Sequence, residues 1–194
     1  MGLGKASNHP VQTVSWYDCV KWCNARSKKD GRIPCYTVSG SVYKTGLSVP
    51  SCNFSANGYR LPTSDEWEYA ARGGLRGKRF PWGDTVNHNN ANYRANGSAY
   101  SYDTSPYTSY TYHPDYDDGG YPYTSSVGDF AANGYGLYEM AGNVWEWCND
   151  TSGYNRCMRG GGWGNYACDL RCGYERWYAA DDISYSLGFR AVCR

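Results

Sequence analysis

Two stretches of the chain carry apolar side chains at helical spacing. In 15–31, SWYDCVKWCNARSKKDG, residues Trp16, Cys19, Val20 and Cys23 fall on one face of a 3.6-residue period. Ser15 stands just before that stripe with Asp18 three positions on, a box-like pair of acceptors for the first unpaired N–H groups, and Gly31 suits the stop. In 60–74, RLPTSDEWEYAARGG, Thr63 and Glu66 form a T-x-x-E capping box, Trp67, Ala70 and Ala71 supply a buried face, and Gly73 ends the run. Elsewhere the period shortens to two. CYTV and SVYK, within a Gly/Ser/Asn-rich stretch 32–58 that also holds Cys35 and Cys52, read as strands of a loose hairpin. GYGLYEMAGNVWEWCND alternates aromatics around Gly142 and Asn143, and RGGGW (159–163) and SLGFRAVC (186–193) read as short central strands. From Phe80 to about Phe130 no stretch keeps a period. So long an irregular stretch is uncommon in a compact domain unless something orders it, and a hard cation held by carbonyl and carboxamide oxygens is one candidate. Two helices among many short strands predict an α+β fold.

Composition narrows the classes. The chain has 194 residues, suited to one domain, with 21 Tyr against 4 Phe, and its aromatic content of 17% excludes a disordered chain. Mean hydropathy is −0.73, and no apolar run approaches the roughly 18 residues that cross a bilayer. A net charge of +1 offers no basic field, so nucleic acid is not an expected partner. There is no internal repeat, GxGxxG, P-loop, GxSxG or HExxH motif. Nine cysteines agree with a cell-surface or secreted protein, although the opening MGLGKASNHP shows no apolar core of a secretory leader. Structural zinc is disfavoured: Cys19/Cys23 and Cys168/Cys172 each have three intervening residues, and His9, His88 and His113 lie near neither pair. Cys19 and Cys23 read as small buried helix residues.

The segments HPVQTVSWYDCVKWCN, YRLPTSDEWEYAARGG, FPWGD, ANYR, NGYGLYEMAGNVWEWC, RGGGW, LRC and SLGFRAVC, in that order, resemble the formylglycine-generating-enzyme family, also called the sulfatase-modifying-factor domain. The resemblance runs from His9 to Cys193. It implies a variant of the C-type lectin fold, with two helices flanking a small twisted sheet and long ordered loops, as one domain over 1–194. The family usually opens with strands upstream of the HPV motif, and the expectation is that this chain is either a fragment or lacks its first strands.

The family's enzyme oxidises a substrate cysteine with two active-site cysteines that bind copper, as soft thiolates suit Cu(I). Its strand reads RGGS, followed by two residues and C-x4-C. Here Gly162 stands at the serine and Asn165 at the first cysteine. The second cysteine position falls on Leu170 counted forward, or on Ala167 counted back from LRC, one residue from Cys168. The pair is absent, so neither copper nor oxidase activity is expected.

A branch with this fold and without those cysteines comprises the variable proteins of diversity-generating retroelements. Its mutagenised display surface lies between RGGSW and GFR, which corresponds here to 163–186. Mutagenesis of AAY codons reaches Asn165, Tyr166, Ala167, Asp169, Tyr174, Tyr178, Ala179, Ala180, Asp181, Ile183 and Tyr185, though not Glu175 or Trp177. With Trp163 and Trp177, these residues are the expected ligand-binding set. Tyr and Trp give large contact area with two χ angles to freeze, and Ser, Gly and Asn adapt their hydrogen bonds, as in antibody paratopes. The expected partner is a macromolecule, a protein, bound without catalysis.

The resemblance also implies calcium. One site would take the Asn92 side chain, the Tyr93 carbonyl, Asp118 (or Asp117) and the Tyr121 carbonyl; a second would take Glu139 with the carbonyls of Gly142 and Val144. Oxygen-only ligands fit a hard cation. Asn143 and Glu146 read as loop-capping residues. The tyrosines then divide by position: eleven from Tyr93 to Tyr138 are expected to order the middle region, and four, Tyr166, Tyr174, Tyr178 and Tyr185, to meet a partner.

Overall fold

A computed structural model describes residues 2–194. Along the chain come α1 (Trp16–Lys29), β1 (Tyr36–Val38), β2 (Ser41–Val42), β3 (Ser51–Cys52), α2 (Ser64–Arg72), β4 (Trp145–Ser152), β5 (Asn155–Arg159), β6 (Glu175–Ala179) and β7 (Leu187–Gly188). Both helices begin where their capping boxes fall, with Ser15 paired to Asp18 and Thr63 to Glu66. Each leaves through a glycine in the left-handed region, Gly31 at φ 69° and Gly73 at φ 53°. The 32–58 stretch forms a small antiparallel sheet of order β2-β1-β3. The larger sheet runs β6-β5-β4-β7, antiparallel except for the parallel β4–β7 pair.

The apolar stripe of α1 enters the main core. Trp16, Val20 and Cys23 lie with Tyr36, Leu61 and Trp147, all nearly inaccessible to water. Cys19 and Cys23 are buried as expected, and burial pushes both thiols well above their ordinary pKa. The indole N–H groups find carbonyls: Trp16 donates to Cys148 (2.9 Å) and Trp147 to Val14 (3.0 Å). α2 lays Trp67 on a second cluster of Met140, Cys148, Cys157 and Cys172.

Two expected strands differ. RGGGW is not a strand beyond Arg159, because Gly160 (φ 92°) and Gly161 (φ 71°) turn the chain out of the sheet. The turn passes so close to Trp67 that a Cβ on Gly160 would sit 3.0 Å from its ring. In SLGFRAVC only Leu187–Gly188 pairs, at the sheet edge, and Val192 adds a lone bridge to Arg60.

The middle region is irregular as expected, and side chains order it. The buried Asp103 carboxylate accepts from the Tyr93 hydroxyl (2.8 Å) and from the N–H groups of Asn96 (2.8 Å) and Ser105 (3.1 Å). Around it Phe80, Val86, Tyr93, Ala167 and Leu170 form a third apolar cluster.

One ion pair joins the parts. Glu146 on β4 accepts both Arg190 Nε and an Arg190 terminal nitrogen at 2.6 Å, and the Trp67 indole N–H at 2.6 Å. Arg190 also donates to the carbonyls of Tyr138 (3.1 Å) and Glu139 (3.3 Å). Glu146 is therefore a buried strand residue clamping α2 and the C-terminal segment. Asn143 does tie a loop, exchanging hydrogen bonds with the backbone of Ser125. Removing Arg190 strands a buried carboxylate, so R190A should cost about 3 kcal/mol in urea unfolding; a change below 0.5 kcal/mol, on the order expected of surface sites, would contradict the clamp.

Candidate functional site

The segment 163–186 leaves β5 through the glycine turn, crosses the middle region, returns as β6 and closes on β7. Its first side chain is an anchor. Trp163 is 6% exposed, its ring meeting Tyr123 (5.1 Å between centroids), Tyr121 (5.3 Å) and Tyr112 (5.7 Å), and its N–H donating to the Tyr185 carbonyl (3.2 Å). Tyr166 packs on Tyr110 with ring centroids 4.2 Å apart and planes tilted by 34°, and the Arg94 guanidinium lies over both Tyr110 and Tyr112. The division of tyrosines by chain position therefore fails in space: Tyr110, Tyr112 and Tyr121 from the middle region and Trp163 and Tyr166 from the late segment form one aromatic layer. Tyr110 and Tyr121 are exposed.

The other expected binding residues sort by depth. Tyr178, Asp181, Ile183 and Tyr185 are exposed, while Asn165, Tyr166, Tyr174, Trp177 and Ala179 are half-buried. Ala167 and Ala180 are fully buried and present nothing to a partner, a correction to the expected set. Asp169 is also buried, its carboxylate accepting from the Tyr166 N–H (3.1 Å). Strand alternation splits two more: Trp177 packs on the cysteine cluster behind the sheet, whereas Tyr178 and Arg176 line the front beside Trp145. Sequence reading missed Arg176, which period-two alternation from Tyr178 would have placed.

Other groups stand at the positions that the resemblance assigns to the enzyme's sulfurs. Asn165 accepts the Trp145 indole N–H on Oδ1 at 2.8 Å. A Cβ on Gly162 would lie 3.0 Å from Ser186 Cβ and 3.3 Å from Asn165 Oδ1, so a serine there would crowd both neighbours. Ala167 and Leu170, the two candidates for the second cysteine, both lie in the apolar cluster with Phe80 and Tyr93. Cys168 is half-buried with Sγ 3.2 Å from the Tyr100 hydroxyl, and Cys172 is buried, its thiol pushed up to about 11 by desolvation.

The two expected calcium sets lie in different surroundings. In the first, Asn92 spends its amide N–H on the Tyr123 carbonyl (2.7 Å), and the Tyr93 carbonyl meets the His88 ring nitrogen at 3.1 Å. Asp118 meets Lys5 (2.7 Å) and accepts from the Gly120 N–H (3.0 Å), and Tyr121 is exposed. In the second, Glu139, Gly142 and Val144 line one cleft of about 330 Å³ with Glu146 and Arg190. The Glu139 carboxylate accepts from the N–H groups of Gly128 and Phe130, and burial raises its pKa. Arg190 lines the same cleft and donates to the Glu139 carbonyl (3.3 Å).

Two helices against small sheets, with loops held by packed rings, make a C-type lectin-like fold. The sulfatase-modifying factor enzyme 1-like domain matches residues 2–194. The chain belongs to that family. It is 32% identical over 204 residues to chaperone protein LppX of Paenibacillus barcinonensis, covering 97% of this chain and 71% of that one. It is 31% identical over 206 residues to the formylglycine-generating enzyme of Mus musculus (96% and 44%), and 36% over 146 residues to that of Thermomonospora curvata (74% and 34%). The chain thus spans less than half the length of these two enzymes. Among solved structures it resembles Treponema denticola variable protein 1, with a TM-score of 0.75 at 27% identity over 98% of this chain and 73% of that one. It likewise resembles CarF, with 0.76 at 29% over 97% and 69%.

Depth separates anchor from display. W163A should cost about 3 kcal/mol in urea unfolding, as deletion of a buried indole does, while I183A should stay within about 0.5 kcal/mol of the parent. Equal losses at the two positions would contradict the assignment.

Proposed function

We propose that the chain is a non-enzymatic binding protein whose front surface, built from 163–186 and the tyrosines packed on it, takes a protein ligand, and that this segment is diversified at its exposed positions. The observation that carries the reading is the layering: exposed Tyr178, Asp181, Ile183 and Tyr185 ride on a backbone pinned by buried Trp163, Ala167 and Ala180. Such a surface changes its side chains without changing its frame, and rigid tyrosines lose little entropy on contact. Likeness to the Treponema denticola variable protein supports a ligand-binding scaffold. Gly162, Asn165 and the apolar surroundings of Ala167 and Leu170 support a role without cysteine oxidation. A calcium ion at Glu139, Gly142 and Val144 would add charge-neutralising support beneath the Arg190 clamp.

Three measurements follow. The DNA around the coding region should hold a near-copy of the segment for 163–186 differing only at adenines, beside a reverse transcriptase gene; a region without either would overturn diversification. Anaerobic titration with Cu(I) and incubation with a cysteine peptide should give neither tight uptake nor aldehyde, and turnover would overturn the non-enzymatic reading. Chelation should lower the melting midpoint of the parent by about 3 °C, a shift on the order of 1 kcal/mol for this size, and leave E139Q unmoved. An unchanged parent midpoint would remove the ion.

A further inference from the structure

We propose that the front surface contains a pocket for a carboxylate, built on Trp145 with Arg176 as its cation, and that the ligand enters it with an acidic side chain or a chain-terminal carboxylate. This rests on the reading of 163–186 as a binding face and gives that face its chemistry. The pocket, about 80 Å³, lies where β4, β5, β6 and β7 meet, lined by Trp145, Asn165, Arg176, Tyr178 and the serines 184 and 186, with Met158 and Leu187 as its apolar part.

Its polar atoms are unbalanced toward donors. Trp145 is a donor only, so its indole N–H fixes Asn165 with Oδ1 toward the ring, and the amide NH₂ meets no protein acceptor among the described residues. Ser184 and Ser186 place their hydroxyls 3.3 Å apart, and Ser184 Oγ also accepts the Ser186 N–H (3.3 Å), so one of the two hydroxyl protons is not used between them. Arg176 is exposed, 5.9 Å from the Trp145 ring, and forms no ion pair among the described residues. The nearby carboxylates are engaged elsewhere. Glu175 faces Ser64 (3.0 Å) and Arg159 (3.5 Å) behind the sheet, Asp169 holds the Tyr166 N–H, and Asp182 holds the Ala179 N–H (3.2 Å). Asp181 lies against the Tyr154 hydroxyl.

A site with an unpaired guanidinium, a free carboxamide NH₂ and a spare hydroxyl proton lacks one thing, an anionic acceptor. A carboxylate is acceptor-only and planar, matches the guanidinium fork, and is small enough for the space.

The test uses the ¹⁵N-labelled full chain, following the Trp145 indole N–H and the Arg176 Nε–H signals. Four probes are titrated: N-acetyl-aspartate N-methylamide for a side-chain carboxylate, N-acetylglycine for a terminal one, N-acetyl-asparagine N-methylamide as neutral isostere, and inorganic phosphate. The expected result is a saturable shift of both signals with at least one carboxylate, none with the amide, and at least tenfold weaker binding in R176Q. The carboxylate that binds more tightly identifies the source. R176Q replaces an exposed strand residue, and its remaining spectrum reports an intact fold. No saturable shift with either carboxylate, an equal response to the amide, preference for phosphate, or unchanged binding in R176Q would overturn the pocket. These failures leave diversification standing, and absence of the adenine-altered near-copy would remove diversification while leaving the shifts in place.

Discussion

The buried pairing of Glu146 with Arg190 and Trp67 is the constraint on which the rest depends. Glu146 opens the central strand, Trp67 belongs to a helix nearly eighty residues earlier, and Arg190 lies just past the closing strand. A carboxylate this deep is tolerated only because three donors hold it at 2.6 Å. Satisfying it fixes where α2 meets the sheet and where the chain must return after 186. The front segment is thus a loop with both ends held, by the Gly160–Gly161 turn against Trp67 and by the return beside Arg190.

Upon that frame the irregular regions become rigid without regular hydrogen-bond ladders. Asp103 substitutes for a ladder in the middle region, gathering one hydroxyl and two backbone N–H groups. Asn143 links two loops: its N–H reaches the Asn92 carbonyl and its own carbonyl accepts from Trp163, both at 2.8 Å. Rings complete the order, with Trp163 enclosed by three tyrosines. Tyrosine in place of phenylalanine makes physical sense here, since each ring has an apolar body for packing and a hydroxyl for the wet side.

Much of the frame was legible in the sequence because local chemistry and global fold agree there. Both capping boxes placed their helices, and the alternation in CYTV and SVYK placed the hairpin of the small sheet. RGGGW misled because a run flanked by strand-like residues reads as strand, while three glycines in a row served a turn. Ala167 and Ala180 were illegible as anchors: a codon-reachable alanine looks the same whether it fills a core or faces water. The joining of Tyr110 and Tyr121 to the late segment was hidden by about fifty residues of sequence separation, which only the folded chain removes. Arg176 was readable in principle, one strand period from Tyr178.

Tolerance of the front surface to change is the central physical requirement, and thermal unfolding of a single combined variant tests it. With Tyr178, Asp181, Ile183 and Tyr185 all replaced by serine, the chain should melt cooperatively within about 8 °C of the parent, since exposed substitutions each cost at most about 0.5 kcal/mol. Loss of the cooperative transition, or a fall of more than about 15 °C, would show that these side chains hold the fold together and would contradict a display surface.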